Sequence, residues 1–301
     1  METKDENRLL IVIDAHSLIH RAYHALPPLK TKDGRLVNAV YGFFTVFFKA
    51  LRELRPDSVA VAFDLAAPTF RHRAFPGYKA KRERAPEEFY LQIPTIKEIL
   101  GAFGVQIFEK QGFEADDIIG TIVTLAKDSP EFPDLKTIVL SSDNDVLQLV
   151  DEKVRALILK KGISQTTLYD EKAVREKYKG LSPGQLVDFK ALRGDPSDNI
   201  PGVFGIGEKT ATELLTSFQS LENLYSLIEQ EATEELIKAS VFEKLVSQKE
   251  QAFLSKKLAE ICCNVKIDFN LGTCRWKDYD RLKVAEHFRD LQFFSLLSKL
   301  P

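Results

Sequence analysis

Short apolar runs that end in a carboxylate recur along this chain, and few folds tolerate that pattern. Residues 9–13 run into Asp14, residues 59–63 into Asp64, and residues 137–140 pass two serines to reach Asp143 and Asp145. Uninterrupted apolar runs of this length read as strands covered on both faces, as in a parallel sheet. In open α/β sheets the functional crevice lies beyond the carboxyl ends of the strands. Several acids delivered to that edge repel one another unless cations sit among them. Oxygen-only ligation of this kind suits Mg²⁺ or Mn²⁺ rather than zinc. The pattern predicts a metal-dependent enzyme.

Between residue 9 and about residue 160, strands and helices alternate. Helices are expected over 41–54, 87–103 and 116–127, with further strands at 105–108 and 154–159. Such βα repetition predicts an α/β fold with a mainly parallel sheet flanked by helices. After about residue 171 the character changes. Ser182, followed by Pro183 at a first helical position, predicts a helix through Arg193. The stretches 208–218, 234–262 and 279–300 also read as helical, with one strand at 265–269. The expected division is an α/β core over 1–175 and a helical subdomain over 176–301, packed as one unit.

At 301 residues and 44% hydrophobic, the chain has ample material for such a core. No apolar run approaches the ~18 residues of a membrane span. The charged residues 1–8 lead straight into a strand, so no membrane contact and no secretory leader are expected, and the reading is cytoplasmic. Cys262, Cys263 and Cys274 form neither a disulfide framework nor a zinc spacing. The net charge of −2 is uninformative about nucleic acid, because an acidic site and a basic surface cancel in the sum.

Two further acidic clusters join the strand-end carboxylates. Glu114, Asp116 and Asp117 open a helix, where the dipole alone favours acids by ~0.3–1 kcal/mol. Glu114 and Asp117 also share a helix face, so both can point at one site, with Asp116 free to reach a second cation or an ordered water. Asp143 and Asp145 stand at i and i+2 on an extended strand end, although an Asx turn would explain them as simply. Asp195 and Asp198 lie in a loop-forming stretch. Singly these features are weak. Nine acids in five clusters, three of them at strand ends, point together to a site for divalent ions. His16, His20 and His24 recur at i, i+4 and i+8 with no matching glutamate, and read as surface or substrate-contacting histidines.

The segment 70–84 carries Arg71, Arg73, Lys79, Lys81, Arg82 and Arg84 against Glu83 alone, with Phe75 and Tyr78 interleaved. Cations that neutralise phosphates beside rings that stack on bases suit a single-stranded nucleic acid. A second stretch, 199–211, places Gly202, Gly205 and Gly207 just before a helix that begins near Glu208. Glycines permit a tight hairpin and close approach of a partner backbone. The helix N-terminus and Lys209 add positive potential for a phosphate. This has the form of a helix-hairpin-helix, which grips duplex backbone without reading sequence.

With these residues in place, the chain resembles the 5′ nuclease domain of bacterial DNA polymerase I, within the flap endonuclease superfamily. Val12-Ile13-Asp14, Ala62-Phe63-Asp64, Tyr78-Lys79, Gly112-Phe113-Glu114-Ala115-Asp116-Asp117, Asp143-Asn144-Asp145, Gly194-Asp195, Asp198-Asn199 and Gly205-Ile206-Gly207-Glu208-Lys209-Thr210 fall in the family order. The resemblance covers nearly the whole chain. It implies a PIN-like, SAM-fold nuclease core with a helical arch at about 70–90, and a C-terminal helical part containing the helix-hairpin-helix.

It also implies that Asp14, Asp64, Glu114, Asp116, Asp117, Asp143, Asp145, Asp195 and Asp198 hold two or more Mg²⁺ or Mn²⁺ ions, and that Lys79, Arg82, Asp116 and Asp143 are catalytic. Arg71, Tyr78, Lys79 and Arg82 would contact DNA from the arch. Gly202, Gly205, Gly207, Lys209 and Thr210 would grip the duplex, with K⁺ at the hairpin. The implied activity is two-metal-ion hydrolysis of DNA at 5′ flaps, nicks and 5′ ends, in primer removal and repair. An RNA primer–DNA hybrid is a further substrate, fusion to a polymerase a further implication, and a monomer the expected state.

The family usually has Gly or Ala before the first acid of the Asp-x-Asp motif and Lys or Arg between the two acids. Here Ser142 and Asn144 stand there, which puts rate or metal preference in question. The alternatives are a non-catalytic, structure-specific DNA-binding module of the same fold, and an RNase of a related α/β fold. Retention of all nine acids argues against the first, the arch and hairpin against the second.

Overall fold

A computed structural model describes residues 8–232, 236–276 and 279–301. One sheet contains β1 (Leu9–Asp14), β2 (Ser58–Ala62), β3 (Gln106–Phe108), β4 (Lys136–Ser141), β5 (Val154–Lys161) and β6 (Gln165–Tyr169). The strand order is β3-β2-β1-β4-β5-β6. The first five strands run parallel and β6 is antiparallel to β5. Sequence reading missed β6 because it is a mostly exposed edge strand whose Gln-Thr-Thr-Leu-Tyr has no buried alternation. The chain builds outward from β1 through β2 to β3, then returns to β4 on the other side. That reversal makes the carboxyl ends of β1 and β4 a topological switch point, where an open α/β sheet forms its crevice.

β1 shows why the run is apolar throughout. Ile11 and Ile13 face one layer and Leu10 and Val12 the other, because successive strand residues point to opposite faces. The first layer contains α1 (Ala15–Ala25), α2 (Asn38–Leu54), and, after the short α3 (Phe70–Ala74) and α4 (Glu87–Tyr90), α5 (Ile93–Ala102). Phe43, Phe44, Phe47 and Phe48 of α2 are all buried there. Each such ring contributes about 1.5–3 kcal/mol of burial. The helix expected over 87–103 breaks after Tyr90, because Pro94 has no N–H to carry a helix through that point. On the other face lies α6 (Ala115–Lys127), with Ile118, Ile119 and Ile122 against the sheet.

The second half contributes α7 (Glu171–Lys177), α8 (Gln185–Arg193), α9 (Glu208–Phe218), α10 (Leu221–Glu229), α11 (Ala239–Ser247) and α12 (Lys249–Ala259). Leu192, Leu215, Leu224 and Leu245 belong to its own apolar cluster. α8 starts later than expected. The Ser182 N–H and hydroxyl both bond the Gln185 side-chain oxygen, at 3.0 and 3.1 Å, so Ser182 sits in a turn before the helix. The expected start at Glu234 lies outside the described residues. The helix expected to follow it is broken at Gln248, whose φ of −124° leaves the helical region, and α12 stops at Ala259.

The strand expected at 265–269 is not paired into the sheet: the Val265 N–H goes to the Thr121 hydroxyl at 3.0 Å. α13 (Arg281–Asp290) and α14 (Phe294–Leu297) replace the single helix expected over 279–300, separated by Gln292 at φ +61°. They do not stay with the helical half. Val284, Phe288 and Leu296 pack into the first sheet layer, beside Phe44 and Phe48 of α2.

Candidate active site

The cleft forms at the switch point. Asp14, the last residue of β1, caps α1 by accepting the Ser17 N–H at 3.1 Å, and takes the Ser141 hydroxyl at 2.6 Å. Asp64 follows β2 and accepts the Ala115 N–H at 2.8 Å, so the start of α6 is tied to the neighbouring strand end. Glu114 is the N-cap of α6 and Asp116 lies in its first turn. Asp143 follows β4. These five acids line one cleft of about 520 Å³, together with His16, His20, Lys79, Arg82 and Asn144.

Confinement changes the acids. Burial pushes Asp14 up to about 6, and Asp64 adds to the shift while Ser141 and Ser17 oppose it. Asp116 is raised well above the carboxylate range by burial and by Asp14, Asp143 and Asp145. Burial also lifts Asp145 to about 6, against the pull of Lys190. The cleft is short of positive charge. His16 does not supply it, because burial outweighs Asp64 and lowers its pKa. Its Nδ1 accepts the Asp64 N–H at 3.1 Å, which uses the neutral ring. His20 is pushed down to about 4 by burial and by His16, His24 and Arg82, and packs 4.1 Å from the Phe89 ring.

The basic segment closes one side. Where a helical arch was expected, α3 is followed by turns packed down against the acids, then by an irregular stretch to α4. Tyr78 is buried, and its hydroxyl donates to Glu114 at 3.1 Å and Asp198 at 3.3 Å. Lys79 adopts φ +55°, a conformation rare outside glycine, held by its N–H to the Asp198 carbonyl at 2.9 Å. That turn aims Lys79 Nζ at Glu114 Oε2, 2.9 Å away. Burial opposes its charge, but Glu114 and Asp198 prevail and raise its pKa. Arg82 bonds Asp198.

The nine acids expected to form one ion site are therefore divided. Among the described residues no three His, Cys, Asp or Glu side chains converge closely enough to hold an ion unaided. Asp145 and Asp195 share Lys190, with Asp195 at 2.6 Å, and that ammonium outweighs burial to hold Asp195 down at about 2. Asp198 belongs to Arg82, Lys79 and Tyr78. Asp117 is fully buried behind the cleft. It accepts two bonds from Arg71, the Glu114 N–H at 3.0 Å and the Cys262 N–H at 2.9 Å, which leaves it no place among ion ligands. Arg71, expected to contact DNA, is 2% exposed and turns inward to Asp117 and to the Leu258 and Glu260 carbonyls.

The glycine segment also sorts into inner and outer parts. Gly202, expected to meet DNA, is buried at φ +65°, and a Cβ there would lie 2.2 Å from the Gly194 nitrogen. Its own N–H and carbonyl bond Ser255 at 3.0 Å and Gln251 at 2.6 Å. Gly205 is exposed, but its carbonyl accepts Lys244 Nζ at 3.1 Å. Gly207 has open space where a side chain would be, and Lys209 and Thr210 follow on the first turn of α9.

Several site residues escaped sequence reading. Lys190 has no motif of its own; its only signal is a place on the helix that leads into Asp195. Ser141 acts on the Asp14 carboxylate through its hydroxyl, and Ser17 through its backbone N–H. The two departures from the family pattern each have a partner: the Ser142 hydroxyl donates to the Ser17 carbonyl at 3.0 Å, and Asn144 accepts Lys177 Nζ.

Two family models match: the N-terminal resolvase-like domain of 5′-3′ exonucleases over residues 9–179, and their C-terminal SAM fold over residues 181–282. The SAM fold thus falls on the helical half rather than on the α/β core. The chain is 41% identical over 295 residues to DNA polymerase I of Bacillus subtilis (strain 168), covering 98% of this chain and 32% of that protein. It is 43% identical over 291 residues to DNA polymerase I of Bacillus caldotenax, covering 97% and 32%.

Among solved structures, T5 5′-exonuclease with bound divalent metal ions (zinc) superposes with a TM-score of 0.68 at 22% identity, covering 85% of this chain and 90% of that one. The catalytic core of Rad2 in complex with DNA substrate gives 0.63 at 16%, covering 100% and 95%. These two support the fold. The class is that of hydrolases acting on phosphodiester bonds. The chain belongs to the 5′-3′ exonuclease family. It spans about a third of the length of the curated relatives it matches.

Proposed function

We propose that this protein is a structure-specific 5′ nuclease, which cuts DNA at 5′ flaps, nicks and 5′ ends during primer removal and repair. The observation that carries this reading is that Asp14, Asp64, Glu114, Asp116 and Asp143 line one cleft together with Lys79 and Arg82. The donor set fits hard divalent cations: it is mainly carboxylate oxygen, and burial raises Asp14 and Asp116, with neighbouring acids adding to the shift. Two or more Mg²⁺ or Mn²⁺ ions would be held by Asp14, Asp64, Glu114, Asp116 and Asp143, with Asp145, Asp195 and Asp198 reachable once Lys190 and Arg82 move to substrate. Bound there, the ions supply an activated water and offset charge on the phosphate.

The chain's own part is to position and to neutralise. Lys79 Nζ and the Arg82 guanidinium lie where the scissile phosphate enters, and add positive charge where the transition state gathers negative charge. Ser141 and Ser17 fix the Asp14 carboxylate in orientation through their hydrogen bonds. The open Gly207, with Lys209 and Thr210, offers backbone N–H groups and charge to duplex phosphates, in the manner of a helix-hairpin-helix with K⁺. Substrate would extend to an RNA primer–DNA hybrid. The protein would act in the cytoplasm as a monomer, or joined to a polymerase as in its relatives. Among the described residues no helix is long and apolar enough to cross a membrane.

A labelled 5′-flap duplex tests the reading. Cutting with Mg²⁺ that stops in EDTA supports it, and tight flap binding without cutting would favour the non-catalytic module.

A further inference from the structure

Beyond Asn144, at the rim of the cleft, two ammonium groups stand together over one ring. Lys160, the penultimate residue of β5, places Nζ 4.7 Å from the centroid of Tyr169 on β6. Lys177, the last residue of α7, places Nζ 5.1 Å from the same ring and 5.2 Å from that of Tyr178, and donates to the Asn144 side chain. Their neighbours behave differently. Lys172 pairs with Glu176 at 3.9 Å and Lys179 with Glu208 at 2.8 Å, whereas among the described residues neither Lys160 nor Lys177 has a carboxylate partner.

A pair of like charges held this close is unfavourable without an anion between them. The cost shows in Lys177, which partial burial and then Lys160 push down to about 8. Both side chains are exposed on the solvent side, so an anion has access. The Tyr169 face holds both ammonium groups by cation–π attraction, which presets their spacing. The position has a direction as well. Asn144 leads into the acidic cleft, while Lys179, two residues past Lys177, reaches Glu208 at the start of α9. A nucleic-acid backbone running from α9 to the cleft would pass Lys177 and Lys160.

We propose that Lys160 and Lys177 form a phosphate-binding site at the rim of the acidic cleft, which takes the backbone of the nucleic-acid strand cut there. This rests on the nuclease reading above. The site neutralises phosphate without reading base sequence, so it contributes affinity and register rather than sequence preference.

The test is fluorescence anisotropy of a labelled 5′-flap DNA in EDTA, where cutting cannot interfere, at several salt concentrations. The proteins are wild type, Lys160→Ala/Lys177→Ala, Lys160→Arg/Lys177→Arg and Lys172→Ala. Removing two phosphate contacts should weaken binding about tenfold and reduce the slope of log K against log salt by about one to two. The double arginine variant should retain wild-type affinity and slope, and Lys172→Ala should match wild type. Affinity and slope unchanged in the double alanine variant would overturn the site. An equal loss in Lys172→Ala would also overturn it, by reducing the effect to bulk charge. Cutting of the same flap by the wild-type protein with Mg²⁺ decides the nuclease reading separately.

Discussion

Arg71 holds Asp117 through two parallel hydrogen bonds, Nη1 to Oδ2 at 2.8 Å and Nη2 to Oδ1 at 2.7 Å, with both side chains almost wholly excluded from water. The pair joins three separate pieces of chain: α3, the start of α6 that bears Glu114 and Asp116, and the end of α12 through the Leu258 and Glu260 carbonyls. Removing one partner strands the other charge in the interior. Arg71→Ala or Asp117→Ala should each cost about 3–5 kcal/mol. Arg71→Met/Asp117→Leu should cost less than either single change, because no uncompensated charge remains. Urea titrations of the three variants check this, and a double variant as unstable as the singles would count against it.

The five cleft acids should be dispensable for binding but not for chemistry. Asp143→Asn and Asp116→Asn should each lower the Mg²⁺-dependent turnover of a 5′ flap by roughly two orders of magnitude or more. Flap affinity should stay within a few-fold of wild type. Single-turnover rates beside binding curves separate the two effects.

Lys79→Ala should likewise reduce cutting more than binding, because the glycine segment and its helix lie on a different part of the chain. Loss of Lys79 also removes the ammonium that Glu114 and Asp198 share. A fall in affinity that fully accounts for the fall in rate would show that Lys79 only attracts DNA.

Gly202 should tolerate no side chain. A Cβ there would lie 2.2 Å from the Gly194 nitrogen and 2.6 Å from its Cα, both backbone atoms that cannot swing aside, at a φ of +65°. Gly202→Ala should therefore destabilise by more than about 1 kcal/mol. Gly207→Ala has open space and should leave the thermal midpoint nearly unchanged. Thermal melts of the two variants make the comparison.

Divalent ions should stabilise the fold in a pH-dependent way. Asp14 and Asp145 are lifted to about 6 and Asp116 higher still, above the ordinary carboxylate value of the unfolded chain. A carboxyl raised in this way favours the folded state below its unfolded pKa, and that contribution is lost as pH climbs through about 6. Cations restore it only where the acids are ionised. Mg²⁺ should raise the melting temperature by roughly 4 °C or more at about pH 7.5, and by much less at about pH 5. Equal shifts at the two pH values would argue that the ions bind elsewhere.

The sheet was legible because its central strands β1, β2 and β4 are covered on both faces, which writes an apolar run into the sequence. Asp14, Asp64 and Asp143 were legible for the same reason, as polar residues placed where those runs stop. β6 was not, since an exposed edge strand places little demand on side-chain type. The breaks at Gln248 and Gln292 were not either: the Gln248 side-chain oxygen accepts the Phe204 N–H at 2.7 Å, a partner 44 residues away, and Gln292 takes a left-handed φ of +61° that glutamine does not announce.

By itself the sequence determined the α/β order, the edge to which acids are delivered, and a family whose motifs fall in line from Asp14 to Thr210. Only the tertiary structure decided which of those acids remain available. Asp117 and Arg71 carry charges that the sequence assigned to ion and DNA, yet folding spends both on each other, because neither could be buried alone. Lys190 shows the converse: an unremarkable helical lysine becomes part of the site when packing brings it between Asp145 and Asp195. A charge's role is fixed by which opposite charges come within a few ångströms, and that distance is a property of the folded chain.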